Sequence, residues 1–153
     1  MKNHQHYMEI AILAAKEAKK EHGIAIGAVI VNETGDVIAS SGSLAGPTSD
    51  PTAHAEVNCI RIAAENIDSP DLKSCTLYST LESCHMCLSA AAWAKIPEIY
   101  FGAYKKDVSD RFFDIKGQYS SEDEARKMNL RDGETMHVQG GILERECAEL
   151  LSE

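Results

Sequence analysis

Residues 75–102 read CTLYSTLESCHMCLSAAAWAKIPEIYFG, and this stretch decides the fold. Cys75–Thr80 and Glu98–Gly102 are short apolar runs suited to buried strands, and Cys84–Lys95 between them is helix-like. A strand, a helix and a second strand in so short a span pack as neighbouring parallel strands with a crossover helix. Working outward, Ala53–Asn66 is also helix-like, so helix and strand patterns alternate from 53 to 102. Upstream, residues 5–21 form an amphipathic helix. Tyr7, Ile10, Ala11, Ala14 and Ala18 make its apolar stripe, Lys16, Glu17, Lys19, Lys20 and Glu21 a solvated end, and Gly23 its stop. Ile24–Val31 and Val37–Ala39 are two strand-like runs joined by a turn at Asn32–Asp36, and 42–52 is a loop rich in Ser, Gly, Pro and Thr. Downstream, 104–119 is irregular, Ser121-x-x-Glu124 is a capping box for a short helix, Thr135–Gln139 is the last strand and Leu143–Leu151 the final helix. The order predicts an α/β fold. A largely parallel sheet is opened by one antiparallel hairpin and covered by helices on both faces, a three-layer α/β/α sandwich.

Composition bounds the function. The chain has 153 residues, 44% hydrophobic and 25% charged, without repeats or low-complexity tracts, and reads as one globular domain over 1–153. Fifteen Lys and Arg stand against 24 Asp and Glu, a formal net charge of -9, which disfavours an extended, sequence-blind grip on nucleic acid. The most apolar early segment, Ile10–Ala15, is bracketed by Glu9 and Lys16, too interrupted for a membrane span or a signal-peptide core. Five cysteines, an odd number, do not suggest a disulfide framework, and a cytoplasmic protein with reduced thiols is expected.

Two short stretches carry chemistry. Pro51-Thr52-Ala53-His54-Ala55-Glu56 lies at a loop-to-helix boundary, and Thr80-Leu81-Glu82-Ser83-Cys84-His85-Met86-Cys87 at a strand-to-helix boundary. An imidazole and two thiolates are three ligands for tetrahedral zinc, which leaves a fourth position open and marks a catalytic rather than a structural site. Cys84 and Cys87 are three apart, so both sulfurs can meet one ion from a first helical turn, where exposed N–H groups favour thiolates. His54 and Glu56 lie about 200° apart around a regular helix. They converge only if the ion sits above the helix end with His54 at its entry. Zinc makes a water acidic enough to attack near neutral pH, and Glu56 beside it is placed to act as general base and then general acid.

His54-Ala55-Glu56 followed by Ser83-Cys84-His85-Met86-Cys87 resembles the zinc nucleobase deaminases of the cytidine-deaminase-like superfamily. The narrower likeness is to its guanine deaminase and tRNA adenosine deaminase branches. It is carried by Ile26-Gly27-Ala28-Val29-Ile30-Val31, Asp50-Pro51-Thr52-Ala53-His54-Ala55-Glu56-Val57 and Thr80-Leu81-Glu82. Met86, Trp93-Ala94 and the closing Gly141-Ile142-Leu143 with Cys147-Ala148 and Leu150-Leu151 add weaker matches. The resemblance implies a five-stranded mixed sheet, one Zn2+ per chain held by His54, Cys84 and Cys87, proton transfer by Glu56, and a homodimer or larger assembly. It further implies hydrolytic removal of an exocyclic amino group from a heteroaromatic ring, with substrate contacts from Ile26, Ser43, Ala55, Leu81, Ser83, Phe113 and Asp114. Two positions depart from the pattern. Ser83 stands where relatives carry Pro, and as a good helix N-cap it still allows the turn. Ser43 stands where they carry a base-contacting Asn, and one hydroxyl cannot reproduce the paired donor and acceptor of an amide.

Phe112-Phe113-Asp114 parallels the guanine deaminase branch, and a small purine such as guanine is the first reading of the substrate. A tRNA adenosine deaminase is the alternative, with cytosine or another aminated heterocycle also open. The -9 charge and the acidic finish Glu144, Glu146, Glu149 and Glu153 are poor for phosphate contacts, and Lys105-Lys106 and Arg126-Lys127 form no basic run. Outside the deaminases stand a thiol–disulfide oxidoreductase using Cys84 and Cys87, which leaves His54-Ala55-Glu56 unexplained, and a structural zinc module, for which no fourth ligand is visible. The remaining candidates have plain readings. Cys59, Cys75 and Cys147 are packing thiols, His4 and His6 solvated, His22 a helix-end cation and His137 without a partner. Trp93 is core or dimer-interface packing, and Glu122-Asp123-Glu124 a solvated helix start.

Overall fold

The structure, a computed structural model, describes residues 2–108, 119–128, 130 and 133–152. The elements are α1 (His4–His22), β1 (Gly27–Val31), β2 (Val37–Gly42), α2 (Ala45–Thr48), α3 (Ala55–Ile67), β3 (Thr76–Leu81), α4 (His85–Trp93), β4 (Glu98–Ala103), a 3-10 turn (Lys105–Asp107), α5 (Ser121–Lys127), β5 (His137–Gln139) and α6 (Glu144–Glu149). The five strands form one mixed sheet in the order β2-β1-β3-β4-β5. β1 is antiparallel to both β2 and β3, whereas β3–β4 and β4–β5 are parallel. The sheet is thus half antiparallel rather than largely parallel. The α3 connection carries the chain from β2 over β1 to β3, so β1 runs against both neighbours. Sequence order alone does not reveal which strand a crossover skips.

Every residue of β1 and β3 is buried, as expected for strands covered on both faces. Alternate side chains divide between two cores. Ala28, Ile30, Leu77, Ile99 and Phe101 pack beneath α3 and α4 with Cys59, Ala63, Leu88 and Ala91. Val29, Val31, Tyr78, Tyr100 and Ala103 pack beneath α1 and α6 with Met8, Ala11, Ile12 and Cys147. These are the three expected layers.

Several boundaries moved for identifiable reasons. The buried stripe of α1 is Met8, Ala11, Ile12, Ala15 and Ala18, one position round from that anticipated, with Tyr7 and Ile10 partly buried at its edge and the Tyr7 hydroxyl donating to the Gly35 carbonyl at 2.9 Å. Gly23 ends α1 as expected, in the left-handed region at φ 82°, with its N–H on the Lys19 carbonyl. β1 starts at Gly27, where a Cβ would lie 2.3 Å from the Ala11 carbonyl, so α1 sits directly on the strand backbone. β2 extends through Ser40, Ser41 and Gly42, poor strand formers held by pairing with Ala28, Val29 and Gly27. The 42–52 loop contains α2. Ser120, not Ser121, caps α5, its hydroxyl accepting from the Asp123 N–H at 3.2 Å, because Ser121 is spent elsewhere. Phe112, Phe113 and Asp114 lie outside the described residues. Among those described, no helix is long and apolar enough to cross a membrane.

Candidate active site

The two chemical motifs meet where α3 and α4 begin. His54 is the extended N-cap residue of α3 and Cys84 that of α4, the latter's sulfur accepting the Cys87 N–H at 3.5 Å. His54 therefore enters from above the helix while Glu56 sits on its first turn, the one arrangement in which an i, i+2 pair can converge. His54 Nδ1 lies 3.4 Å from Cys87 Sγ and 3.7 Å from Cys84 Sγ. The three ligand atoms all fall within 4.8 Å of one another. Zn–S bonds of about 2.3 Å and a Zn–N bond of about 2.0–2.1 Å at tetrahedral angles space nitrogen and sulfur about 3.6 Å apart. The donor set fits zinc in chemistry and spacing.

Glu56 completes the cluster from the sheet side. It is 4% exposed. One carboxylate oxygen accepts the Ser79 hydroxyl at 3.0 Å and the other accepts from Cys87 Sγ at 3.4 Å. Burial pushes its carboxyl upward, with the Ser79 hydrogen bond opposing. Without an ion the thiols divide one proton unequally. The hydrogen bond from Cys87, seconded by His54, holds Cys84 down to about 4 against its burial. The same contact with Cys84, together with burial and the Glu56 charge, pushes Cys87 well up. His54 is raised chiefly by its bond to Cys84. A bound cation reverses this for Cys87, since only thiolates ligate.

Neighbouring residues that spacing did not reveal hold this geometry. Asn58, one turn after His54, donates its amide to the Gly42 and Ala53 carbonyls, both at 3.1 Å, pinning the 42–53 loop to α3. Glu82, 3% exposed, accepts from the Lys105 N–H at 3.0 Å and from the Ser121 N–H and hydroxyl, both at 2.8 Å. One buried carboxylate thus ties the turn before Cys84 to the chain on either side of the 105–121 excursion. The Tyr119 hydroxyl donates to the Ser83 carbonyl at 2.5 Å, and its ring packs edge-on against His85. The Glu-Ser pair sits inside the quoted motif, but nothing in its spacing says where the carboxylate turns.

Of the expected substrate contacts, Ala55, Leu81, Ser43 and Ser83 are buried and Ile26 is half-buried; Leu81 packs in the core beneath α1 and α6. The Ser43 N–H donates to the Ile26 carbonyl at 3.2 Å, which brings these two together at the sheet end. Other readings divide. Cys59 is a core thiol, donating to the Ala28 carbonyl at 3.2 Å, and Cys147 is packed away with its thiol pushed up to about 12 by burial. His4 is not solvated: its ring stacks on Tyr100 at 4.0 Å and Nδ1 meets the Tyr78 hydroxyl at 2.8 Å. His137 has an edge contact with Tyr100. Trp93 is no core residue, being 69% exposed. In the acidic run that opens α5, Glu122 accepts the Tyr104 hydroxyl and Asp123 and Glu124 pair with Arg126 and Lys127.

A mixed α/β/α sandwich with one imidazole, two sulfurs and a buried carboxylate at the mouths of two helices defines a zinc-dependent hydrolytic deaminase acting on C–N bonds. Residues 1–103 match the profile of the cytidine and deoxycytidylate deaminase zinc-binding region. The chain belongs to that family. It is 36% identical over 147 residues to the tRNA-specific adenosine deaminase of Haemophilus influenzae, covering 95% of this chain and 79% of that protein. It is 36% identical over 113 residues to the guanine deaminase of Bacillus subtilis, covering 73% of this chain and 72% of that one. A solved structure from studies of A-to-I editing by tRNA:A34 deaminases superposes with a TM-score of 0.75 at 36% identity, over 95% of this chain and 99% of its own.

Proposed function

We propose that the chain is a single catalytic domain that hydrolytically deaminates an adenosine presented in tRNA, giving inosine and ammonia. Guanine, the substrate first expected from sequence, becomes the second reading. The observation that carries the proposal is likeness to a tRNA-specific adenosine deaminase along 95% of the chain, including both motifs. In this reading His54 Nδ1, Cys84 Sγ and Cys87 Sγ hold zinc, and Glu56 moves protons. Bound there, zinc supplies the Lewis acidity that lets water act as a nucleophile near neutral pH. Glu56 would take one proton from the attacking water on the carboxylate oxygen nearer Cys87 and pass it to a ring nitrogen, then take the second proton from the hydroxyl now on the ring carbon and hand it to the amine as the C–N bond breaks, leaving a ring carbonyl and ammonia. Burial raises the carboxyl's proton affinity, and the Ser79 hydroxyl donates to its other oxygen.

The net charge of -9 favours the second reading, a free aminated purine such as guanine, whereas Ser43 departs from both branches alike. One experiment separates the two. Inosine formation is followed in an adenosine-bearing anticodon stem-loop, alongside ammonia release from free guanine, adenine and cytosine, across a salt series. A tRNA substrate predicts activity on the stem-loop whose kcat/KM falls steeply with salt. Ammonia from a free base, insensitive to salt and without inosine in the stem-loop, overturns it. We also propose a homodimer, with the exposed face of α4 around Trp93 at its interface.

A further inference from the structure

Of the buried side-chain nitrogens and oxygens among the described residues, Ser83 Oγ alone has no hydrogen-bond partner. The residue is 1% exposed, so the hydroxyl cannot be satisfied by bulk solvent. A buried polar group without a partner is destabilising, and such an atom calls for a ligand or a functional account. Its neighbours in the chain are already committed. Glu82, one residue back, holds three donors from Lys105 and Ser121. Cys84, one residue on, faces His54 and receives the Cys87 N–H. The Ser83 carbonyl itself accepts the Tyr119 hydroxyl at 2.5 Å. The metal-ligand cluster closes on His54, Cys84 and Cys87 without the serine. Ser83 directly precedes the candidate ligand Cys84, whose Cα lies about 3.8 Å from its own.

We infer that the Ser83 hydroxyl is a substrate contact that helps set which ring the site accepts. Its partner is a hydrogen-bonding group on the polar edge of an aminated heteroaromatic ring. A hydroxyl both donates and accepts, so it tolerates either an N–H or a bare ring nitrogen or carbonyl oxygen. The unpartnered state of the free enzyme is then a site waiting for the substrate. The inference rests on the deaminase reading above, but it concerns this chain's own serine and not the identity of the ring.

The test compares zinc-loaded wild type with Ser83→Ala and Ser83→Thr. Zinc per chain, melting temperature, and kcat and KM are measured on whichever of the stem-loop and free bases the wild type turns over, with calorimetric binding of 2,6-diaminopurine as a probe. Ser83→Ala should keep its zinc and melt no lower than wild type, since it deletes an unsatisfied group. Its kcat/KM should fall roughly tenfold, the size of one lost hydrogen bond, and it should bind the probe more weakly. Ser83→Thr, which keeps a hydroxyl, should recover most of the loss. Wild-type kcat/KM in Ser83→Ala overturns the inference and leaves the hydroxyl to an ordered water. Loss of zinc or a lower melting temperature that accounts for the lost activity overturns it in favour of a structural role. A wild type that releases no ammonia from any of these substrates sinks the substrate reading and this inference together, whereas an active wild type with an unchanged alanine variant sinks the inference alone.

Discussion

At the scale of single residues, the proposed tasks of Glu56 and of His54, Cys84 and Cys87 are separable. Glu56 lies beside the ligand cluster without belonging to it, so Glu56→Gln should bind one zinc per chain and lose at least about 100-fold in turnover, as removal of a general acid–base does. Metal analysis with single-turnover kinetics checks this, and a variant with full activity would sink the assigned role. A second titration belongs to the far end of the sheet. Lys2 pairs with the Glu98 carboxylate and holds it below the usual range, with Thr76 assisting. A carboxyl depressed on folding stabilises the protein above its unfolded value, and that contribution disappears as pH falls through the depressed value. Glu98→Gln should therefore melt slightly below wild type at neutral pH and match it in strong acid. The difference is small, because the pair is part-exposed and screened. A gap that persists at low pH would assign the effect to packing instead.

Between elements, Glu82 is the fastening on which the site depends. It joins the end of β3, the turn after β4 and the start of α5 through three hydrogen bonds to one buried carboxylate. Glu82→Ala strands three buried donors and should cost about 3 kcal/mol in urea unfolding. Glu82→Gln keeps one acceptor oxygen and should cost less. If the two variants unfold alike, the acceptor oxygen that Gln retains contributes nothing. The same fastening explains the misplaced cap of α5. Ser121 is drawn inward to Glu82, which leaves Ser120 to cap the helix.

For the whole molecule, charge and assembly set the terms of substrate encounter. A chain of net charge -9 meets a polyanion against its own field, so any tRNA affinity must come from locally placed cations. Trp93, 69% exposed on α4, is the largest exposed apolar side chain among the described residues. Trp93→Glu should shift a wild-type dimer toward monomer in sedimentation equilibrium. A dimer that survives unchanged places the interface elsewhere.

The candidate site was legible in the sequence. Cys84 and Cys87 share one helical turn, and His-Ala-Glu at a second helix entry supplies the imidazole and carboxylate that the structure brings beside them. The alternation of runs from 53 to 102 likewise foretold two parallel strands and their helix, since period and length are properties of short segments. Tertiary structure alone decided the rest. The antiparallel place of β1, the one-residue rotation of the α1 stripe, the turn of Glu82 toward Lys105 and Ser121, and the stranded Ser83 hydroxyl all depend on partners distant in the chain. A carboxylate or hydroxyl carries no mark in sequence of which distant backbone group it will meet. That pairing is set when the layers close and each buried polar group takes the nearest partner left to it.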